Sequence, residues 1–120
     1  MAAGATVLID ARNVLRSQWP NVPEDELVER VRAWAERHGH EVVLIFDGKA
    51  PGGIVGAERL DQRTTLVGSG GESADDWLIR EAPNHPGAWL VTSDRALREA
   101  AGAHTARLIG GGAFLRSLDD

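Results

Sequence analysis

The sequence predicts an α/β fold, a doubly wound and mostly parallel five-stranded sheet with helices on both faces, and three observations carry that expectation. Two continuous apolar runs, TVLID at residues 6–10 and EVVLIFD at residues 41–47, are of the kind buried on both sides in a parallel sheet. Runs of this kind alternate with stretches of helical period, the pattern of βαβ units. At 120 residues and 42% hydrophobic content, the chain fits one domain, residues 1–120, with a core of ordinary size.

The elements follow in order. Thr6 to Asp10 reads as the first strand. Pro23 then opens a helix in which Leu27, Val31, Trp34, Ala35 and His38 share one face, and Gly39 stands where a C-cap glycine belongs. Glu41 to Asp47 is the second strand. The next stretch, Gly48 to Arg63, is glycine-rich at its start and carries Lys49, Arg59 and Arg63; its Gly/Pro punctuation predicts a mobile loop with a helical turn at its end. Thr64 to Val67 is the third strand. A helix begins after Ser73, which forms a capping box with Asp76 three residues on. AWLVT at 88–92 is the fourth strand, Asp94 caps a helix running to about Ala101, and HTARLI at 104–109 is the fifth strand. GGAFLRSLDD closes the chain as a short helix whose last residues fray. No internal repeat, low-complexity segment or heptad pattern is present.

Composition narrows the function. With no cysteine, disulfides and thiolate metal sites are excluded, which suits a reducing cytoplasm. No apolar run approaches the roughly 20 residues of a membrane span, and MAAGA lacks the charged start and apolar stretch of a signal peptide, so a cytoplasmic protein without a membrane partner is expected. The net charge of −5 weighs against a nucleic-acid partner, yet twelve of the thirteen basic residues are arginine, suited to bidentate phosphate contact. A cluster of metal-binding carboxylates would itself make the total acidic.

Such a cluster is what the topology predicts. Asp10 ends the first strand, Asp47 the second and Asp94 follows the fourth, while Asp75 opens the helix after the third, so all four face one edge of the sheet. Each has an ordinary explanation alone, as a helix cap or turn residue. Together they are like charges at one rim, a standing cost unless a cation or shifted pKa values relieve it. A hard divalent cation such as Mg²⁺, taking oxygen ligands and bridging carboxylates to phosphate, is the natural relief, and phosphodiester hydrolysis is the chemistry implied. Helix phase separates the neighbours in GGESADDWLIREA. At 100° per residue Asp75 lies beside the apolar arc of Ala74, Leu78, Ile79 and Ala82, whereas Asp76 points away; Asp75 is assigned to the metal, Asp76 to capping, and Glu72 to the metal through water.

These motifs, LIDARN, LIFDG, GESADDWL and VTSD in that order, resemble the NYN domain of the PIN-like ribonucleases, most closely its YacP-like branch, over about Val7 to Leu118. The resemblance implies a three-layer α/β/α domain of PIN type that gathers acidic residues around Mg²⁺ or Mn²⁺ and cuts RNA as an endoribonuclease, with single-stranded RNA as partner. Asp10, Asn13, Asp47, Asp75 and Asp94 then form the catalytic set, Glu72 joins the metal ligands, and Asn13 and Ser93 face the substrate. Free ribonuclease, toxin and ribosome association all stay open as settings. The chain departs from the usual D-G-Y-N at Ala11 and Arg12, so the tyrosine is missing beside Asn13.

Two other families with strand-end aspartates fall on particular residues. A receiver domain wants an acidic pair after the first strand and a lysine after the fifth, where this chain has Ala11 and Gly110; a haloacid-dehalogenase-type phosphatase wants D-x-D, and position 12 is Arg12. The remaining rival is a module of the same fold that binds RNA or a protein without cutting. Of the arginines at 12, 16, 59, 63, 80, 95 and 98, a solvated surface accounts for most; Arg12, Lys49 and Arg63 are the preferred phosphate contacts, because their segments adjoin Asp10, Asp47 and the third strand. The four histidines lack metal-ligand spacing and read as surface or helix-end residues. Trp34, Trp77 and Trp89 fall on core-facing positions. Trp19, before Pro20 in a connecting segment, reads as packing, with base stacking as its alternative.

Overall fold

The chain alternates strands and helices in space as the pattern requires. A computed structural model, describing residues 4–120, contains β1 (Thr6–Asp10), α1 (Ala11–Arg16), α2 (Glu24–His38), β2 (Glu41–Phe46), β3 (Gly56–Arg59), β4 (Thr64–Gly68), α3 (Ala74–Glu81), β5 (Ala88–Val91), α4 (Arg95–Ala101), β6 (Thr105–Ile109) and α5 (Gly111–Ser117). The strands form one sheet in the order β3-β4-β2-β1-β5-β6, parallel throughout except for β3 against β4. The α/β class stands, with six strands where five were expected.

Alternation along the strands builds three layers. Val7 and Ile9 of β1, with Val42, Leu44 and Phe46 of β2, pack beneath α1, α2 and α5 through Val14, Leu27, Val31, Trp34 and Phe114. Leu8 and Ile45 turn to the opposite face, under Ala74 and Leu78 of α3 and Leu97 and Ala101 of α4. Because both faces are covered, the central strands are apolar at almost every position, which is why they read as continuous runs.

The sixth strand corrects the expected loop with a helical turn. All four residues of β3 are exposed, so no apolar alternation marked it. As an antiparallel edge strand it needs only backbone pairing to β4 on one side. The approach is close at Gly68, where a Cβ would stand 2.1 Å from the Ile54 carbonyl oxygen. Only a residue without a side chain lets the loop after β2 lie against this strand end. The short helix α1 was also not expected. It starts directly at Asp10 and ends one residue before Ser17, whose hydroxyl donates to the Val14 carbonyl at 2.5 Å.

Other expectations hold locally. Gly39 ends α2 at φ 72°, in the left-handed region. Ser73 caps α3, its hydroxyl accepting from the Asp76 amide at 3.0 Å, and Asp94 caps α4, accepting from the Leu97 amide at 3.0 Å. Trp34 is buried, while Trp77 and Trp89 are partly buried against the two cores. His40 departs from a surface role: its ring lies 4.8 Å from both Trp34 and Trp89, and Nδ1 accepts from the Ala5 amide at 2.9 Å. Burial, with His38, Arg107 and Arg63 nearby, pushes its pKa down. The chain end is tied to α2, with Arg37 donating to the Leu118 carbonyl and Arg30 paired with Asp119 at 3.2 Å. Among the described residues no helix is long and apolar enough to cross a membrane.

Candidate active site

The carboxyl ends of β1, β2 and β5 adjoin one another where successive connections step to opposite sides of β1, the crevice in which parallel α/β sheets hold ligands. A cavity of about 180 Å³ opens there, lined by Asp10, Arg12, Asn13, Arg16, Asp47, Ser73, Asp75 and Asp94. The four aspartates expected to converge are thus together.

Three of them are fixed by a bond that their place in the fold supplies. Asp10, 5% exposed, accepts from the Thr92 hydroxyl at 3.0 Å, and that oxygen in turn accepts from the Asp94 amide at 3.1 Å. Asp47, just past β2, accepts from the Ala74 amide at 2.8 Å, so a strand-end carboxylate satisfies a free donor in the first turn of α3. Asp94 caps α4 through one oxygen. Asp75 lies in the first turn of α3, partly buried, whereas Asp76 is exposed and outside the cavity wall.

Crowding shows in the electrostatics. Burial, then the charges of Asp75 and Asp47, push the Asp10 carboxyl from 3.8 up to about 6, against the pull of the Thr92 hydroxyl and the nearby Asn13 amide. Asp75 is also pushed up, first by burial and then by Asp94, Asp47 and Asp76. Arg12 offers partial relief, its Nε 3.7 Å from an Asp47 oxygen with both side chains more than a third exposed.

Asn13 and Ser93 occupy the rim as links between elements. The Asn13 side-chain oxygen accepts from the Ser93 amide at 2.8 Å, and the Ser93 hydroxyl accepts from the Gly111 amide at 2.8 Å. A Cβ at Gly111 would stand 2.5 Å from the same Asn13 oxygen, so α5 begins in direct contact with this link. The start of α5 therefore touches the residue that ties α1 to the end of β5.

Three expected contributors are not brought into the cavity wall. Glu72 turns away and pairs with Arg80, which the phase argument could not foresee because Glu72 precedes the helix. Lys49 is exposed in the loop after β2, beyond the lining residues. Arg63 precedes β4 and lies at the amino end of the sheet, in a separate cavity of about 340 Å³ with Arg32, Glu36, Asp61 and Gln62. Strand polarity gave the signal: Asp10, Asp47 and Asp94 stand at or beyond the ends of their strands, Arg63 before the start of its own. Arg16, one of the arginines named from the sequence but not preferred, shares a helix face with Arg12 four residues earlier; Ser73, given only a capping role, also lines the cavity, and Thr92, the polar residue of VTSD that reaches Asp10, was missed.

The donor set is chemically suited to a hard cation, being four carboxylates at one cavity, three with one oxygen engaged by a protein donor. Among the described residues no group of three or more His, Asp or Glu side chains stands in metal-holding geometry.

No family model matches the chain, and no curated protein matches it. Among solved structures it is similar to a point mutant of Rae1 (YacP) from Bacillus subtilis, with a TM-score of 0.73 and 18% identity over 96% of this chain and 75% of that one. It is also similar to Rae1 (YacP) from Bacillus subtilis in a second crystal structure, with a TM-score of 0.70 and 17% identity over 99% of this chain and 74% of that one. The chain has the YacP-like NYN fold expected from its motifs.

Proposed function

We propose that the protein is a metal-dependent endoribonuclease that hydrolyses phosphodiester bonds of single-stranded RNA in the cytoplasm. The observation that carries this reading is the convergence of Asp10, Asp47, Asp75 and Asp94 on one cavity with Arg12 and Arg16 at its wall. Folding alone gives no reason to gather four acids where two are pushed toward protonation.

The four aspartates would hold Mg²⁺ or Mn²⁺. Bound there, the ion would supply an activated water and offset negative charge on the phosphate oxygens. Arg12 and Arg16 grip the phosphate flanking the scissile bond, their guanidiniums matching its oxygens. Asn13 and Ser93 act as positioning residues, because their polar groups are engaged with one another and with Gly111. Glu72, held by Arg80, and Arg63, at the opposite end of the sheet, have no part in this reading; Lys49 meets the RNA backbone outside the cavity.

The test is incubation of the purified protein with single-stranded RNA in Mg²⁺, Mn²⁺ or EDTA, followed by end analysis. Cleavage in metal only, leaving 5′-phosphate and 3′-hydroxyl ends, is the expected result. Ends bearing 2′,3′-cyclic phosphate would point to attack by the ribose hydroxyl instead of water. Binding without cleavage in either metal would identify the rival, a non-catalytic RNA-binding module.

A further inference from the structure

Trp19 does not pack. It is 87% exposed, the most exposed of the large apolar side chains in the described residues. The segment carrying it is nonetheless held on both sides. On one side the Ser17 amide and hydroxyl both bond the Val14 carbonyl, at 3.2 and 2.5 Å. On the other, Val22 is buried in the core against the helix side of the sheet. This connection thus presents one of the four tryptophans of the protein to water.

Its surroundings are basic. Arg16, three residues earlier, lines the carboxylate cavity. Two residues before Trp19, Ser17 Cβ shares the space over Gly112 with Arg116 Nη1, the two lying 3.7 and 3.3 Å from where a Cβ on that glycine would stand. Among the described residues neither Arg16 nor Arg116 is paired with a carboxylate. An exposed indole three residues from one unpaired arginine of the carboxylate cavity, on a segment whose Ser17 adjoins a second, matches the chemistry of single-stranded nucleic-acid sites, where arginines track the backbone and aromatic faces stack bases.

We propose that Trp19 is the stacking platform for an unpaired base of the RNA strand, with Arg16 and Arg116 holding the phosphates on either side of it. This rests on the ribonuclease reading of the cavity and extends it to the strand's path.

The experiment is anisotropy titration of a short 5′-labelled single-stranded RNA in EDTA, with the wild type, Trp19→Ala and Trp19→Phe, repeated on the same strand made of abasic nucleotides. Trp19→Ala should weaken binding of the base-bearing strand roughly tenfold, Trp19→Phe should retain most of the affinity, and all three proteins should bind the abasic strand alike. Equal affinity of Trp19→Ala and wild type for the base-bearing strand overturns the proposal. So does an equal loss on the abasic strand, which would mean that the indole supports the loop or meets the sugar-phosphate backbone. Wild type that binds RNA but never cleaves it sinks the hydrolase reading and leaves stacking to be decided by these affinities; wild type that binds no RNA sinks both.

Discussion

Replacing Asp10 by Asn should stabilise the protein at neutral pH and leave it unchanged in acid. The carboxyl is buried, its pKa raised from 3.8 to about 6, so the folded state holds a proton that the unfolded chain has already released. The sign follows: wild-type stability falls as pH rises from about 4 through about 6 and then levels off, because above that both states are ionised. At 1.36 kcal/mol per tenfold, the shift corresponds to about 3 kcal/mol at pH 7 and above. Spread over about 2.1 cal/mol/K for each of 120 residues, that is about 12 °C in Tm. The Asn side-chain oxygen can still accept from the Thr92 hydroxyl, so the substitution removes charge without orphaning a buried donor. Thermal melts of both proteins in EDTA across pH 4 to 8 provide the measurement. A gap near zero at pH 4 that opens to about 12 °C by pH 7 is expected, and adding Mg²⁺ at pH 7.5 should stabilise the wild type more than the variant. A gap independent of pH, or a variant less stable than wild type at pH 8, would refute the reasoning.

Asp75→Asn should abolish cleavage while its Tm in EDTA stays level or rises, whereas Asp76→Ala should lower Tm modestly and keep activity; cleavage lost in the second and kept in the first would reverse the assignment. Gly111→Ala forces a methyl to 2.5 Å from the Asn13 oxygen, so it should cost about 1–3 kcal/mol and lower cleavage through displacement of α1, as read by urea melts beside the assay. Arg12→Ala and Arg16→Ala should weaken RNA binding and flatten its salt dependence, while Arg63→Ala, at the far end of the sheet, should do neither in the same titrations.

Much of the architecture was legible because burial on both faces leaves little freedom of composition: TVLI and VVLIF read as strands since almost no polar residue could stand there. Strand-end aspartates were legible for the related reason that topology alone fixes which edge they reach. What escaped was short or exposed. Helix α1 has only six residues, and β3, with four exposed side chains, is held by backbone pairing that no side-chain pattern records. Within the site, helix phase separated Asp75 from Asp76 but had no purchase on Glu72, whose partner Arg80 is eight residues away across a turn. Trp19 reads as packing because a large apolar residue is usually covered, whereas among the described residues this indole stands open to water.

Asp47 and Asp94 each answer a helix amide with one oxygen, and Asp10 answers a hydroxyl. For that duty a charge is superfluous. Asparagine and serine cap a helix about as well as aspartate, and a neutral acceptor would satisfy Thr92 without the penalty of ionising a buried group. If scaffolding were the whole task, the neutral choice would be the cheaper one at Asp10, where the penalty is largest. The ionised choice stands there and at both helix starts, facing the same small volume. The difference in stability between each aspartate and its asparagine isostere therefore separates what the fold needs from what only a bound cation or phosphate chemistry would use.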